Sequence, residues 1–165
     1  ILRQNKIASI GAGKDIIEAR KPVILEKKGV RLAFLGYSTS VNQPRGFAAT
    51  SKKPGIAALR ISSLYAPPHV NEEDLEMMTE DIKNAKSMAD LTIFSCHWSV
   101  EFFSRTMALH QRPIAQTAID AGADLVLGHG THCLQGIEVY KGKVIFYGLG
   151  NFVVDRDTSV KESFN

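Results

Sequence analysis

Cysteine is scarce in this chain. Two residues in 165, Cys96 and Cys133, cannot make a disulfide framework, so both are expected to be free thiols. No stretch approaches the roughly 20 consecutive apolar residues of a membrane-spanning helix, and no signal-peptide pattern is visible. Neither charge is concentrated. Lys and Arg number 20 against 17 Asp and Glu, a formal net charge of +3. The densest basic groups, Lys27-Lys28 and Lys52-Lys53, are too short for a nucleic-acid footprint, and no nucleic-acid partner is expected. Ile10-Gly11-Ala12-Gly13 lacks the Gly-Lys-Ser/Thr ending of a phosphate loop. No internal repeat or low-complexity tract is present. What remains is ordinary globular composition, 44% apolar and 22% charged, in a length that suits one domain over 1–165 with a real core. The first residue is Ile1 rather than Met, and we expect a piece of something longer.

The periodicities predict the following order. Residues 1–7 read as the tail of a helix, and 15–20 as a short helix with Asp15 in its first turn. Residues 22–26 and 30–36 read as two strands joined by a tight turn at Lys27-Lys28-Gly29. The 37–55 stretch, rich in Ser, Pro and Gly, reads as a loop. Arg45 within it either reaches an anionic substrate or faces solvent. Residues 71–86 carry a helical stripe of Leu75, Met78, Ile82 and Ala85, with Asn71 as N-cap. The acidic Glu72-Glu73-Asp74 then suits the positive end of that helix. A buried strand over 89–96 delivers His97, and a helix spans 107–121. A strand over 124–127 delivers His129. A hairpin over 137–147 delivers Gly150-Asn151. Helices alternating with strands, with hairpins mixed in, predict a layered α/β fold with mixed sheets.

The stretch Leu127-Gly128-His129-Gly130-Thr131-His132-Cys133 carries the chemistry. An apolar run ending in Gly-His puts imidazoles at the carboxyl end of a strand, the edge where open α/β sheets bind ligands. His129 and His132 are three apart in a loop, so both can turn to one point. Neutral imidazole suits zinc, iron or nickel, with manganese also open. His97-Trp98-Ser99-Val100-Glu101 and Gly148-Leu149-Gly150-Asn151-Phe152 likewise end apolar runs in polar side chains. Each cysteine adjoins a candidate ligand. Either both are small buried residues at strand ends, or they serve a zinc-thiolate site. His69 and His110 read as surface histidines.

Taken in order, Gly11-Ala12-Gly13, Ala19-Arg20-Lys21-Pro22-Val23, Gly36-Tyr37-Ser38, His97-Trp98-Ser99-Val100-Glu101, Gly122-Ala123-Asp124-Leu125-Val126-Leu127-Gly128-His129, His132-Cys133-Leu134-Gln135-Gly136-Ile137-Glu138-Val139-Tyr140-Lys141-Gly142 and Tyr147-Gly148-Leu149-Gly150-Asn151-Phe152 resemble the bacterial capsule-synthesis (CapA) family, linked to poly-γ-glutamate biosynthesis. The resemblance covers most of residues 8–155. It implies the fold of calcineurin-like metallophosphoesterases, a layered α/β/β/α sandwich with mixed sheets, of which this chain would be the C-terminal part. The family's first metal-binding Asp, its acidic second motif and its Asn-His motif would all precede residue 1.

What the resemblance implies for the residues is as follows. His97 and His129 would be metal ligands, for two divalent ions of the Mn/Fe/Zn class in the intact protein. His132 would face the substrate, either giving a proton to the leaving group or holding an anionic oxygen. Glu101 would either orient His97 or bind substrate. Asn151 either presents an amide to substrate or caps a turn, and Gln135 supports the His loop or meets substrate. The family pattern at the last histidines is Gly-His-His-Pro-His, so Gly130 and Thr131 depart from it and are expected to widen the pocket. The implied partners are an anionic polymer or phosphoester and capsule-synthesis membrane proteins, with cell-envelope association and any anchor upstream of Ile1. A metal-dependent hydrolase and a non-catalytic accessory that binds polyglutamate both satisfy the resemblance.

Overall fold

The computed structural model describes residues 2–39, 46–62, 69–98 and 106–151. The elements, in chain order, are β1 (Ala12–Gly13), α1 (Ile16–Arg20), β2 (Val23–Lys27), β3 (Val30–Thr39), β4 (Gly55–Ile56), β5 (Ala58–Leu59), α2 (Glu72–Met88), β6 (Leu91–His97), α3 (Gln111–Ala121), β7 (Leu125–His129), β8 (Ile137–Tyr140) and β9 (Lys143–Phe146). Seven strands make a mixed sheet in the order β2-β3-β6-β7-β9-β8, with β5 paired to β3. Strands β3, β5, β6, β7 and β9 run parallel, and β2 and β8 close the two edges as antiparallel hairpin arms. The α/β class with mixed sheets is therefore present.

Local chemistry explains the element ends. The Asp15 carboxylate accepts from Glu18 N at 2.8 Å and starts α1. The Asn71 carboxamide accepts from Asp74 N at 3.1 Å and starts α2. The acidic residues behind it serve that helix end, and the Asp74 carboxylate also receives Arg60 Nε at 2.8 Å. Both hairpins turn on a Lys-Gly pair with positive φ at both positions, Lys28-Gly29 and Lys141-Gly142, the turn whose twist matches paired strands.

Several elements differ from the sequence expectation. Residues 3–5 form one turn of 3-10 helix rather than α-helix. Strand β3 runs on through Tyr37, Ser38 and Thr39, because β6 offers it a parallel neighbour as far as His97. Two short strands, β4 and β5, end the loop that was expected to reach Gly55. Helix α3 starts at Gln111 rather than 107, since the Gln111 carboxamide accepts from Ala108 N at 2.6 Å and holds the preceding segment in a turn.

Register assigns the two faces of the sheet. Leu35, Phe94, Val126, Ile145 and Glu138 are successive partners across five strands and so share a face. Phe94, Val126 and Ile145 are fully buried. Glu138 on this face bonds Gln116 of α3 at 2.9 Å, and Tyr37, two residues beyond Leu35, bonds Asp81 of α2. Helices α2 and α3 thus cover this face, and α1 joins α2 through Arg20 Nε to Asp81 at 2.8 Å. The opposite face carries Phe34, Ile93, Leu125, Val144 and Val139 in one row, and Leu127, Phe146 and Ile137 in the next. Its outer members stay exposed, Ile137 by 64% and Val139 by 70%. Among the described residues there is one helical layer on one seven-stranded sheet, plus the two-stranded β1–β4 sheet. The four-layer sandwich would need a second sheet on the apolar face.

Candidate functional site

The last register pair of β6 and β7 is His97 opposite His129. Strand alternation sends both imidazoles to the helix-free face at the carboxyl edge of the sheet. Their rings lie 5.4 Å apart, centroid to centroid, inclined at 71°. Ser95, two residues before His97 and on the same face, places Oγ 3.1 Å from His129 Nε2. Burial favours the neutral form of His129 and lowers its pKa, and the charge of His97 adds to the effect. Neutral imidazole is the form that ligates a metal.

Beneath these residues, on the helix face, lies a packed floor. The Trp98 indole is fully buried and donates Nε1–H to Tyr147 O at 2.9 Å. A Cβ on Gly128 would sit 2.5 Å from Trp98 Cζ2 and 2.4 Å from Tyr147 O, so only glycine lets the strand close on the indole. Trp98 N donates to His129 O at 3.2 Å and extends the β6–β7 ladder past the histidines. The Gln111 carboxamide donates to Gln135 Oε1 at 2.9 Å and to Tyr147 O at 3.3 Å. Gln135 in turn donates to Thr106 O at 3.2 Å. The contacts of Gln135 described here are thus to the protein's own frame.

His132 and Asn151 meet. His132 Nδ1 lies 3.0 Å from Asn151 Oδ1, and both residues are exposed. His97, His129, Ser95, His132, Asn151 and Gln135 all belong to the strand ends and loops at this edge. Glu101 and Arg45 lie outside the described residues, so the roles expected of them are not placed here. Among the described residues, no group of three His, Cys, Asp or Glu side chains forms a metal cluster.

Two expectations change, at His110 and Gly130, and at Cys96 the buried strand-end alternative holds. His110 is not a surface histidine: it is 2% exposed, and its Nε2–H donates to Trp98 O at 3.0 Å. Its position just before α3 places it under Trp98, a contact invisible to local pattern. Cys96 is buried beside Tyr37 and Gly128 in register, on the helix face. His97 faces the other way, so this thiol takes no part in a zinc-thiolate site with it, and burial pushes the thiol pKa up. The pocket is not widened at Gly130, because the His97 ring fills the space beside it. A Cβ there would lie 2.5 Å from His97 Nε2. Ser95 was not singled out in the sequence, and Trp98 and Gln111 were given no role there. Only Ser95 carried a signal, the two-residue alternation backward from His97.

Comparison with known proteins agrees with the motifs. The profile of the family described as "Bacterial capsule synthesis protein PGA_cap" matches residues 1–156. The chain is 39% identical over 148 residues to the PGA biosynthesis protein CapA of Bacillus subtilis, covering 89% of this chain and 34% of that protein. It is 35% identical over 155 residues to the capsule biosynthesis protein CapA of Bacillus anthracis, covering 93% and 34%. It is 32% identical over 151 residues to a "Probable polyglutamine synthesis accessory protein" of Mycobacterium tuberculosis, covering 90% and 38%. The chain therefore spans about a third of the length of these curated relatives.

Proposed function

The chain belongs to the bacterial capsule synthesis protein family PGA_cap, and from that premise we propose that its histidine-bearing sheet edge is about half of a metal-dependent hydrolytic site acting in poly-γ-glutamate capsule biosynthesis. The observation that carries the reading is the facing pair at the carboxyl edge, His97 and His129, with rings 5.4 Å apart. Two imidazoles, one of them shifted toward its neutral form by burial and by the neighbouring His97, fit a divalent ion of the Mn/Fe/Zn class as a partial donor set. His97 and His129 would hold it, and a bound ion would supply Lewis acidity toward a phosphoester or an amide carbonyl. The remaining carboxylates of a two-ion site would come from the longer protein.

The chain's own groups have distinct tasks in this reading. Ser95 Oγ, 3.1 Å from His129 Nε2, would accept from Nε2–H and leave Nδ1 as the ligating nitrogen, a second-sphere contact of the kind that fixes tautomer and ring orientation. His132 holds a proton for the leaving group. Glu101 would either orient His97 or bind substrate, and Arg45, Asn151 and Gln135 stand as candidate contacts for an anionic substrate. A capsule polymer or phosphoester is the substrate class, and capsule-synthesis membrane proteins are the expected partners.

One observation favours a second reading, a polyglutamate-binding accessory without turnover. A mycobacterial relative is named a probable polyglutamine synthesis accessory protein. The experiment that separates the two uses full-length protein. Metal content is measured by elemental analysis beside hydrolysis of a phosphodiester and of poly-γ-glutamate. The hydrolase reading expects His97→Ala and His129→Ala to lose metal and rate together. A wild-type protein that takes up no Mn, Fe or Zn, hydrolyses neither substrate and still binds the polymer would replace it with the accessory reading.

A further inference from the structure

We propose that Asn151 is a positioning residue for His132, holding the imidazole with its proton on Nδ1 and its Nε2 turned outward as the working nitrogen. The proposal rests on the reading of His132 as the proton donor of the site. Its core is a contact of 3.0 Å between His132 Nδ1 and Asn151 Oδ1. A carboxamide oxygen can only accept, so the imidazole must donate from Nδ1. In a neutral ring the lone pair then lies on Nε2, which can take up a proton and give it back. A neutral carboxamide sets the tautomer without adding charge.

The contact is built, not incidental. His132 adopts φ +58, a left-handed conformation that is strained for a non-glycine residue and that persists where neighbours enforce it. The segment carrying Asn151 packs backbone-to-backbone against the loop carrying His132. A Cβ on Gly148 would lie 2.6 Å from Thr131 Oγ1, and one on Gly150, itself at φ +68, would lie 3.3 Å from the Cys133 carbonyl carbon. Leu134 and Leu149 form an antiparallel bridge. Gln135 N donates to Gly148 O at 3.1 Å, and Leu149 N to Gly128 O at 3.0 Å. Each bond brings Asn151 closer to His132. An exposed neutral hydrogen bond adds little net stability, so a strained residue and two close glycines assembled around it point to orientation of the ring as the purpose.

The test uses full-length protein with nitrogen-labelled histidine, read by proton–nitrogen correlations of the imidazoles at a pH where they are neutral. His132→Gln identifies the signal. Wild type should show the proton on Nδ1. Asn151→Ala should move it to Nε2, the preferred tautomer of a solvated imidazole, with metal content and melting temperature unchanged because Asn151 is exposed. Asn151→Asp keeps the acceptor and should restore the Nδ1 proton. An Nε2 proton in wild type, or one tautomer shared by wild type and Asn151→Ala, overturns the proposal. In hydrolysis of a substrate with a poor leaving group, the losses from Asn151→Ala and His132→Ala should be non-additive. Full additivity also overturns it. If the tautomer moves as expected while His132→Ala leaves hydrolysis unchanged, the positioning stands and the proton-donor reading of His132 falls.

Discussion

The backbone of Gly130 lies against the imidazole of His97 so closely that an added Cβ would stand 2.5 Å from Nε2 and 2.7 Å from Cδ2. Gly130 is at φ +88, so a side chain there meets both a strained backbone and an occupied space. Gly130→Ala is expected to cost about 1–3 kcal/mol of stability and to displace the His97 ring. Urea denaturation reads the first, and zinc titration of the full-length protein reads the second. Gly130→His, which recreates the family pattern at one position, should be as disruptive. Wild-type stability for either variant would show that the ring moves freely.

The floor of the site gives a coupled pair. Gly128→Ala should destabilise by about 2–3 kcal/mol, the upper range for overpacking, because its Cβ meets a buried indole and a carbonyl. Trp98→Phe should destabilise by about 1–3 kcal/mol through the lost Nε1–H bond to Tyr147 O and the smaller ring. The smaller ring also makes room for the new methyl. The double variant should therefore be more stable than the sum of the two losses, by at least about 0.5 kcal/mol. Strict additivity would mean that Gly128 is not held open for Trp98.

Stability should depend on pH through two imidazoles, the buried His110 and the half-buried His129. Burial lowers the pKa of His110, partly opposed by its bond to Trp98 O, and burial together with His97 lowers that of His129. The unfolded chain protonates both near the ordinary value of 6.5, and the folded chain only at lower pH. Their full contribution is thus present above 6.5 and is lost as pH falls below it, until the folded imidazoles also titrate. The urea midpoint should drop between pH 7 and pH 5, and His110→Gln should flatten that drop. An unchanged slope would place the dependence elsewhere.

The two thiols should differ in reactivity. Cys96 is buried, with its pKa raised by burial, and Cys133 is half-buried. A thiol reagent should label Cys133 in the native protein and reach Cys96 only after unfolding, with both titrating in denatured, unreduced protein. Finding neither thiol after denaturation would mean a disulfide.

Much of the site could be read along the chain because its cause is local. An apolar run that stops at a histidine marks a strand end whatever the strand packs against, so His97 and His129 were legible as edge residues. Asn71 before an acidic turn marked its helix start for the same reason. The face to which each side chain turns was not local. It depends on the register that pairs His97 with His129, 32 positions away, and that sends Cys96 to the helices instead. His110 looked exposed because nothing near it in sequence predicts the Trp98 carbonyl above its ring. Gly130 suggested open space because an absent side chain is visible in a sequence, whereas the ring that fills its place belongs to a residue 33 positions earlier. The joining of His132 to Asn151 likewise required the β7–β9 pairing and the close approach of two glycine-bearing loops. Hydrophobic periodicity determined which residues reach the sheet edge, and tertiary packing, acting through strand register and steric exclusion, decided which of them touch.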